Sequence, residues 1–325
     1  MTSPAPRAVD PAAALAAAVK VAASLGVRAT DPSILNDGAN VIVGLRPAPV
    51  VAKVAASTAA VRGDGAVWLQ RELDLAGFLA AAGAPVMPPS PEVPAAVYYG
   101  GGQVMSFWTY LPPPSGPRPR PDEATIGSML RDLHAILRTY PSPAPLPGPG
   151  LLPGPGLLPG PGLLPGPGLL PGPAPMLTPL ADIPAFLARP QGYLPPGRAE
   201  ALAAAYTRLT GELDLGAAPV QQLHGDAGGG NLMPTAAGWV WHDFEDTCSG
   251  PVAWDLAAST ASQFQDGRLV LAAYGQPVDR GQLAVCEQLR RLHLTVWYSL
   301  YAERLPGLRP RAAELLALWP APTGH

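Results

Sequence analysis

The sequence predicts an α+β protein with two lobes: a small antiparallel-sheet lobe with one helix and a larger, mainly helical lobe. Three observations support this fold class. Short β-branched segments bounded by Gly, Pro or Asp dominate residues 1–111, whereas apolar residues at helical spacing dominate residues 176–325. A Pro- and Gly-rich repeat separates these two regions. The 325 residues are also sufficient for two lobes with a substantial core.

Composition and charge exclude several classes of protein. Charged residues make up 14% of the chain, against about 25% in typical proteins, but 48% are hydrophobic, which excludes a wholly disordered chain. The formal net charge is −3 and the basic residues are scattered, so we expect no nucleic-acid or membrane partner. Two cysteines cannot form a disulfide framework, and no apolar run reaches the roughly 18 residues of a membrane span. We therefore expect a cytoplasmic protein.

The repeat consists of four copies of Gly-Leu-Leu-Pro-Gly-Pro over residues 150–173, preceded by a partial copy at 146–149. Proline at two positions in six removes backbone donors and is incompatible with helix interiors and central strands, so we expect residues 146–175 to be a disordered insertion. Expansion within a tolerant surface loop explains it best, although a Pro-rich ligand for another protein is an alternative. The insertion would divide the large lobe into residues 112–145 and 176–325.

In the small lobe, the order of elements follows from β-branched runs and turn residues. A helix is predicted over residues 11–25. The turn at residues 36–38 predicts a hairpin between the first two strands, and a helix over residues 66–82 has Asp64 as its expected cap. The predicted strands are 34–35, 40–45, 50–55, 95–99 and 103–111.

The large lobe is predicted to be helical except at one hairpin. Apolar residues at helical spacing over residues 122–138 predict its first helix. Residues 223–246 differ, because a Gly-rich loop, a strand at 232–233 and a second strand at 239–242 that ends on acidic residues predict a hairpin between two loops. Further helices are predicted near 180–189, 197–213, 254–264, 267–275, 281–304 and 310–319.

Polar residues on both sides of this hairpin form the most informative pattern in the chain. Asp226 precedes Asn231 by 5 residues, and Asp243 lies 12 residues further on. Phosphoryl transfer requires one carboxylate to orient the attacking hydroxyl, and an amide oxygen and a second carboxylate to hold Mg²⁺. Protein kinases have the same order of Asp, Asn and a later Asp-Phe-Gly aspartate, although Glu245 here replaces that glycine and Gly225 stands where kinases carry arginine.

The loop from His224 to Asn231, together with Gly-Pro-Val-Ala-Trp-Asp-Leu-Ala at residues 250–257, resembles the aminoglycoside phosphotransferase and choline kinase-like family. The resemblance extends along most of the chain and implies a bilobal protein-kinase-like fold. It also implies that Asp226 is the catalytic base and that the residues matching Asn231 and Asp243 bind magnesium. By the same resemblance, Asp255 is the buried aspartate that braces the catalytic loop.

The small lobe contains residues that fit the same fold. The fold requires a lysine on the third strand to hold phosphates, and a glutamate on the following helix to position that lysine. Lys53 lies on the predicted third strand, and it is one of only two lysines in the chain. Glu72 lies in the middle of the predicted helix, although Arg71 and Asp74 beside it leave the choice of partners open.

The turn that contains Gly38 and Asn40 corresponds in this resemblance to the hairpin that covers the nucleotide. Backbone amides can approach phosphates closely where side chains are small. An Asp-Gly hairpin also forms without any ligand, so the motif by itself has little specificity. The strand at residues 103–110 resembles the connector between the lobes, whose backbone binds adenine.

These residues together predict a small-molecule kinase that uses Mg²⁺ and ATP or GTP. The γ-phosphate of the nucleotide would pass to a hydroxyl group of an aminoglycoside-like or metabolite acceptor. The alternative is a catalytically silent pseudokinase that acts as a binding protein, with the repeat as its docking element. Such a protein would be expected to have lost Asp226, Asn231 or Asp243, and all three are present. The acceptor, the preferred nucleotide and the oligomeric state stay open.

Overall fold

A computed structural model describes residues 9–58, 62, 65–141, 178–189, 194–213 and 219–320. The predicted insertion and the predicted cap Asp64 lie outside these residues. The helices are α1 (Pro11–Ser24), α2 (Ala66–Ala81), α3 (Glu123–Leu137), α4 (Asp182–Leu187), α5 (Arg198–Glu212), α6 (Val252–Thr260), α7 (Gly267–Tyr274), α8 (Arg280–Arg304) and α9 (Arg309–Ala317). The strands are β1 (Ala29–Asp37), β2 (Asn40–Pro47), β3 (Val50–Ala55), β4 (Tyr98–Gly100), β5 (Gln103–Thr109), β6 (Gln221–Leu223), β7 (Leu232–Thr235), β8 (Gly238–Trp241) and β9 (Cys248–Gly250).

The small lobe is built on a five-stranded antiparallel sheet with the order β1-β2-β3-β5-β4. β3 lies at the centre and all six of its residues are buried, which explains its continuous apolar sequence. Lys53 is the exception in that sequence, and it pairs with Ile42 of β2 and Ser106 of β5. The central strand therefore fixes the position of this lysine on both sides.

Two strand predictions needed correction. β1 begins at Ala29 rather than at residue 34, because an edge strand pairs on one side only and therefore tolerates Pro32. β4 ends at Gly100 because Gly101 and Gly102 both have positive φ and form the turn into β5. The predicted residues 95–97 are not part of that strand.

The large lobe contains α3 to α9, and α3 packs closely against α7. Gly127 is buried in this contact, where a Cβ atom would lie 2.3 Å from the carbonyl oxygen of Val270. The backbones of the two helices therefore approach more closely than any larger residue at position 127 would permit. None of the helices in the described parts of the chain is long and apolar enough to cross a membrane.

A short antiparallel pair, which the sequence analysis did not predict, brackets the two polar loops. Leu223 in β6 pairs with Cys248 in β9, so the chain enters the first loop beside the point where it leaves the second. Between them, β7 and β8 form the predicted hairpin, with Leu232 opposite Trp241. This arrangement brings residues 224–231 and residues 242–247 to the same end of the large lobe.

Candidate active site

The first loop, at residues 224–228, is held in place by the buried carboxylate of Asp255 near the start of α6. Its two oxygens accept hydrogen bonds from the backbone amides of His224 and Gly225, both at 2.8 Å. The ring of His134 lies 3.0 Å from the same carboxylate and 2.9 Å from the hydroxyl of Tyr274. Burial opposes ionisation of Asp255, but these hydrogen bonds outweigh it and lower its pKa. The carboxylate thus braces the loop, as the family resemblance implied.

Gly225 brings the first loop into direct contact with the second. Its φ is 92°, and a Cβ atom at this position would lie 1.7 Å from the carbonyl oxygen of Asp246. Only glycine satisfies both the backbone conformation and this close approach. The departure from the arginine that protein kinases carry here therefore has a steric cause.

Asp226 presents its carboxylate to the cleft between the lobes, and the side chain is 40% exposed. The side-chain amide of Asn231 donates to carboxylate Oδ2 of Asp226 at 2.9 Å and to its backbone carbonyl at 2.7 Å. The guanidinium group of Arg290, on α8, donates to Oδ1. Both carboxylate oxygens are therefore held, while the exposed fraction of the side chain faces the cleft.

The second loop begins at Asp243, whose φ of 63° is the only positive value among the described non-glycine residues. Left-handed backbone of this kind is uncommon and concentrates at functional sites. Asp243 accepts from Lys53 Nζ at 2.6 Å, and the backbone amide of His242 donates to the carbonyl of Asn231 at 3.1 Å. Burial opposes ionisation of Asp243, but Lys53 outweighs it and lowers the pKa of this carboxyl to about 2.

Lys53 pairs with Glu72 in its own lobe and joins the two lobes through Asp243 and Glu245. Its ammonium lies 2.8 Å from Glu72, 2.6 Å from Asp243 and 3.0 Å from Glu245. Asp74 instead bonds Gln70, so the structure pairs Lys53 with Glu72 and resolves the choice that the sequence left open. Burial and the nearby Asp243 and Glu245 raise the pKa of Glu72, while Lys53 opposes this shift.

These three carboxylates lie close enough to share one cation, and the Lys53 ammonium takes that place. One oxygen from each of Glu72, Asp243 and Glu245 lies within 4.8 Å of the others. The sequence analysis predicted Asn231 and Asp243 as the metal ligands. The structure brings the loops that carry these two residues together, since the backbone amide of His242 donates to the Asn231 carbonyl. The metal-binding role of Asn231 stays a prediction.

The turn that was predicted to cover the nucleotide is present between β1 and β2. The backbone amide of Gly38 donates to the carbonyl of Asn40 at 3.2 Å, which closes the hairpin. The side chain of Asn40 is buried, donates to Glu245 at 2.6 Å and accepts from the hydroxyl of Thr58 at 3.1 Å. Asn40 therefore connects the turn to the second loop, and phosphate contact by Gly38 and Asn40 stays a prediction.

Arg62, which the sequence analysis did not select, links the small lobe to the large lobe. Its side chain is 2% exposed and lies 2.6 Å from Asp182, 2.5 Å from Asp246 and 3.1 Å from Glu245. The guanidinium also stacks on Trp68, 3.8 Å from the ring centroid. No motif marks this arginine, because its partners are more than 100 residues away in the sequence.

Several solved structures share this fold. The alignment with the microcompartment-associated aminopropanol kinase covers 92% of this chain and 96% of that kinase, with a TM-score of 0.59 and 16% identity. Amicoumacin kinase hAmiN, solved with AMP-PNP, Ca²⁺ and Ami, matches 94% and 95%, with a TM-score of 0.58 and 12% identity. Choline kinase LicA from Streptococcus pneumoniae matches 93% and 98%, with a TM-score of 0.54 and 16% identity. The predicted bilobal kinase-like fold is confirmed.

The sequence places the chain in a class of phosphotransferases. Residues 37–284 match the family described as "Phosphotransferase enzyme family", and the chain belongs to that family. This confirms the predicted enzyme class, a phosphotransferase with an alcohol group as acceptor. Among curated proteins, no relative matches the chain.

Proposed function

We propose that the protein transfers the γ-phosphate of ATP or GTP to a hydroxyl group of a small acceptor, an aminoglycoside-like compound or another metabolite. The observation that supports this most directly is the convergence of Asp226, Asn231 and Asp243 with Lys53 at one cleft between the lobes. The choline, aminopropanol and amicoumacin kinases that share the fold act on small molecules, as their names state. The structure bound to AMP-PNP supports a nucleotide as the phosphate donor.

Asp226 would orient the acceptor. Its carboxylate faces the cleft and can accept a hydrogen bond from the acceptor hydroxyl, whose oxygen then attacks the γ-phosphorus. The bond between the γ-phosphorus and the bridging oxygen breaks, the nucleoside diphosphate leaves, and Asp226 takes the hydroxyl proton. Because the two oxygens of the carboxylate are already held by Asn231 and Arg290, little reorientation precedes this step.

Asp243 and Asn231 would hold Mg²⁺. Asp243 is ionised at neutral pH, and the amide nitrogen of Asn231 is engaged with Asp226, which leaves the amide oxygen available to a cation. Hard cations prefer such oxygen ligands, so the residues present fit the ion. When bound, Mg²⁺ neutralises charge on the β- and γ-phosphates.

Lys53 would contact the α- and β-phosphates from the opposite side. Its buried ammonium is kept protonated by the adjacent carboxylates: burial opposes the charge, but Asp243 and Glu72 outweigh it and raise the pKa of Lys53. Glu72 fixes its direction through two hydrogen bonds, at 2.8 and 3.0 Å. The nucleotide would therefore meet a charge already positioned on the central strand of the small lobe.

The acceptor would bind beside Asp226 against aromatic and acidic side chains. The cleft is lined on this side by Trp297, Tyr298 and Tyr301 of α8, together with Glu245 and Asp246. Glu245 and Asp246 are already paired with Arg62, so the aromatic faces are the groups that favour a ligand with an amine as well as a hydroxyl group. This lining supports an aminoglycoside-like or amino-alcohol acceptor.

Substitution of Asp226 by asparagine tests the proposal. We expect Asp226→Asn to lower turnover by about 10²- to 10⁴-fold, since a general base contributes on that order. The melting temperature should still rise with Mg²⁺ and ATP or GTP, and Asp243→Ala should abolish that rise. Asp132→Asn, at an exposed position on α3, is the matched control and should change neither quantity.

Two results would contradict the proposal. Unchanged turnover in Asp226→Asn would remove the carboxylate from the reaction. In folded wild-type protein, the absence of any shift with either nucleotide would instead favour the binding-protein alternative.

A further inference from the structure

The side chain of Arg290, on α8, is buried against groups of the first loop and of α6. The side chain is 3% exposed, and its guanidinium lies over the ring of Trp254, 5.0 Å from the ring centroid. One nitrogen of the guanidinium donates to the carbonyl of Gly225 at 3.1 Å, and the other donates to carboxylate Oδ1 of Asp226. A charged side chain is buried here at the cost of its hydration, so its contacts require an explanation.

The contacts of Arg290 all converge on the catalytic loop. The Gly225 carbonyl also accepts from the indole nitrogen of Trp254 at 2.9 Å, so α6 and α8 hold the same peptide group. An arginine suits this place because its planar, rigid fork can bond two acceptors at once, which a lysine ammonium on a flexible stem reproduces poorly. The bond to the carboxylate is charge-assisted and therefore strong.

We propose that Arg290 is a positioning residue for the phosphotransfer reaction: it fixes the rotamer of the Asp226 carboxylate by anchoring that carboxylate and the preceding carbonyl to α8. This proposal rests on the proposed role of Asp226. Asn231 holds one carboxylate oxygen and Arg290 holds the other, so removal of Arg290 leaves the carboxylate with a single tether. Arg290 also offsets part of the negative charge that Asp226 and Asp246 present where a triphosphate must enter.

The test separates turnover from nucleotide binding. We expect Arg290→Ala to lower kcat by about 10- to 100-fold, because a displacement of about 1 Å in a reacting group costs that order of rate. The KM for ATP should stay within about twofold of the wild-type value. The rise in melting temperature with Mg²⁺ and ATP should stay within a few degrees of the wild-type rise. Conversion of ATP to ADP is measured with water, choline, 1-amino-2-propanol and kanamycin as acceptors.

Guanidinium rescue distinguishes positioning from a structural role. Guanidinium chloride at low millimolar concentration should raise the kcat of Arg290→Ala at least several-fold, since the ion can occupy the space that the deleted side chain leaves between Trp254 and Gly225. Arg290→Lys keeps the charge but should recover only part of kcat, because one ammonium cannot reproduce the fork. If Arg290→Ala shows no cooperative unfolding transition, Arg290→Lys alone provides the kcat and KM comparison.

Arg291→Ala is the matched control, because the next residue on α8 lines a separate groove with Arg208 and Trp319. If kcat of folded Arg290→Ala equals that of Arg291→Ala, or if guanidinium gives no rescue, Arg290 has no positioning role. That result leaves the proposed function intact when the wild-type protein turns over ATP. If the wild-type protein neither binds nor converts ATP or GTP, the proposed function fails and this proposal fails with it.

Discussion

At the residue scale, Asp255 illustrates how one buried carboxylate holds the loop that carries the proposed base. We expect Asp255→Asn to lower the free energy of unfolding by about 2–3 kcal/mol, because the amide nitrogen would face a buried backbone N–H that then lacks an acceptor. Turnover should fall together with stability. Urea denaturation measures the change, and Asp132→Asn should lie within about 0.5 kcal/mol of wild type.

The same residue leads to a pH dependence with a defined sign. The pKa of Asp255 is lowered in the folded protein, so the carboxylate contributes stability above its ordinary pKa of about 3.9 and loses it as the pH falls through the folded value. The difference in unfolding free energy between wild type and Asp255→Asn should therefore narrow only below about pH 5, as the pH falls through about 4 and towards the lowered folded value. Urea titrations at a series of pH values test this, and a constant difference would contradict it.

Sequence reasoning selected Asp226, Asn231, Asp243, Lys53 and Glu72 as candidates because short-range motifs or element positions mark them, and the structure places them around one cleft. It did not identify the arginines. Arg290 is one of two consecutive arginines on α8, a pattern that is typical of a solvated helix face. Its side chain is buried only because α8 packs against the loop that carries Asp226. Contacts between distant segments leave no local signal, so Arg62 was missed for the same reason.

At the scale of elements, the contact between α3 and α7 depends on Gly127. Gly127→Ala should lower the free energy of unfolding by about 1–3 kcal/mol, because the new Cβ would overlap the Val270 carbonyl and separate the helices. Gly77→Ala provides the contrast. No atom lies within 4 Å of a Cβ at position 77 of α2, so that change should stabilise the protein by up to about 1 kcal/mol. Thermal and urea unfolding should show changes in stability of opposite sign for the two variants. Equal changes would contradict the close approach of α3 and α7.

The strength of the periodic signal explains which elements were predictable. α3 and α8 were predicted almost to their ends, since each has several buried residues at helical spacing. The central strand β3 was predicted from its β-branched run, which turn residues bound. β6 and β9 have three residues each and no periodicity, and only their pairing defines them as strands. They nevertheless determine where the two catalytic loops meet.

At the scale of the whole molecule, Arg62 connects the lobes through buried ion pairs. Arg62→Met should lower the free energy of unfolding by about 3–5 kcal/mol, because it leaves Asp182, which is 2% exposed, without its cation. Arg46→Met removes an exposed pair with Asp31 and should cost less than about 1 kcal/mol. Differential scanning calorimetry compares the two variants, and equal melting temperatures would show that the interlobe pairs contribute little.

The close approach at Gly225 also means that the loop that carries Asp226 and the loop that carries Asp243 must move together. With no space between this residue and the Asp246 carbonyl, a shift of the loop that begins at Asp243 must displace the peptide that carries Asp226. A cation at the proposed metal site would then be coupled to the alignment of the proposed base through this contact, without a hinge or a relay of side chains. In laboratory evolution, the His-Gly-Asp segment and the Asp-Phe-Glu segment should consequently vary together rather than one at a time.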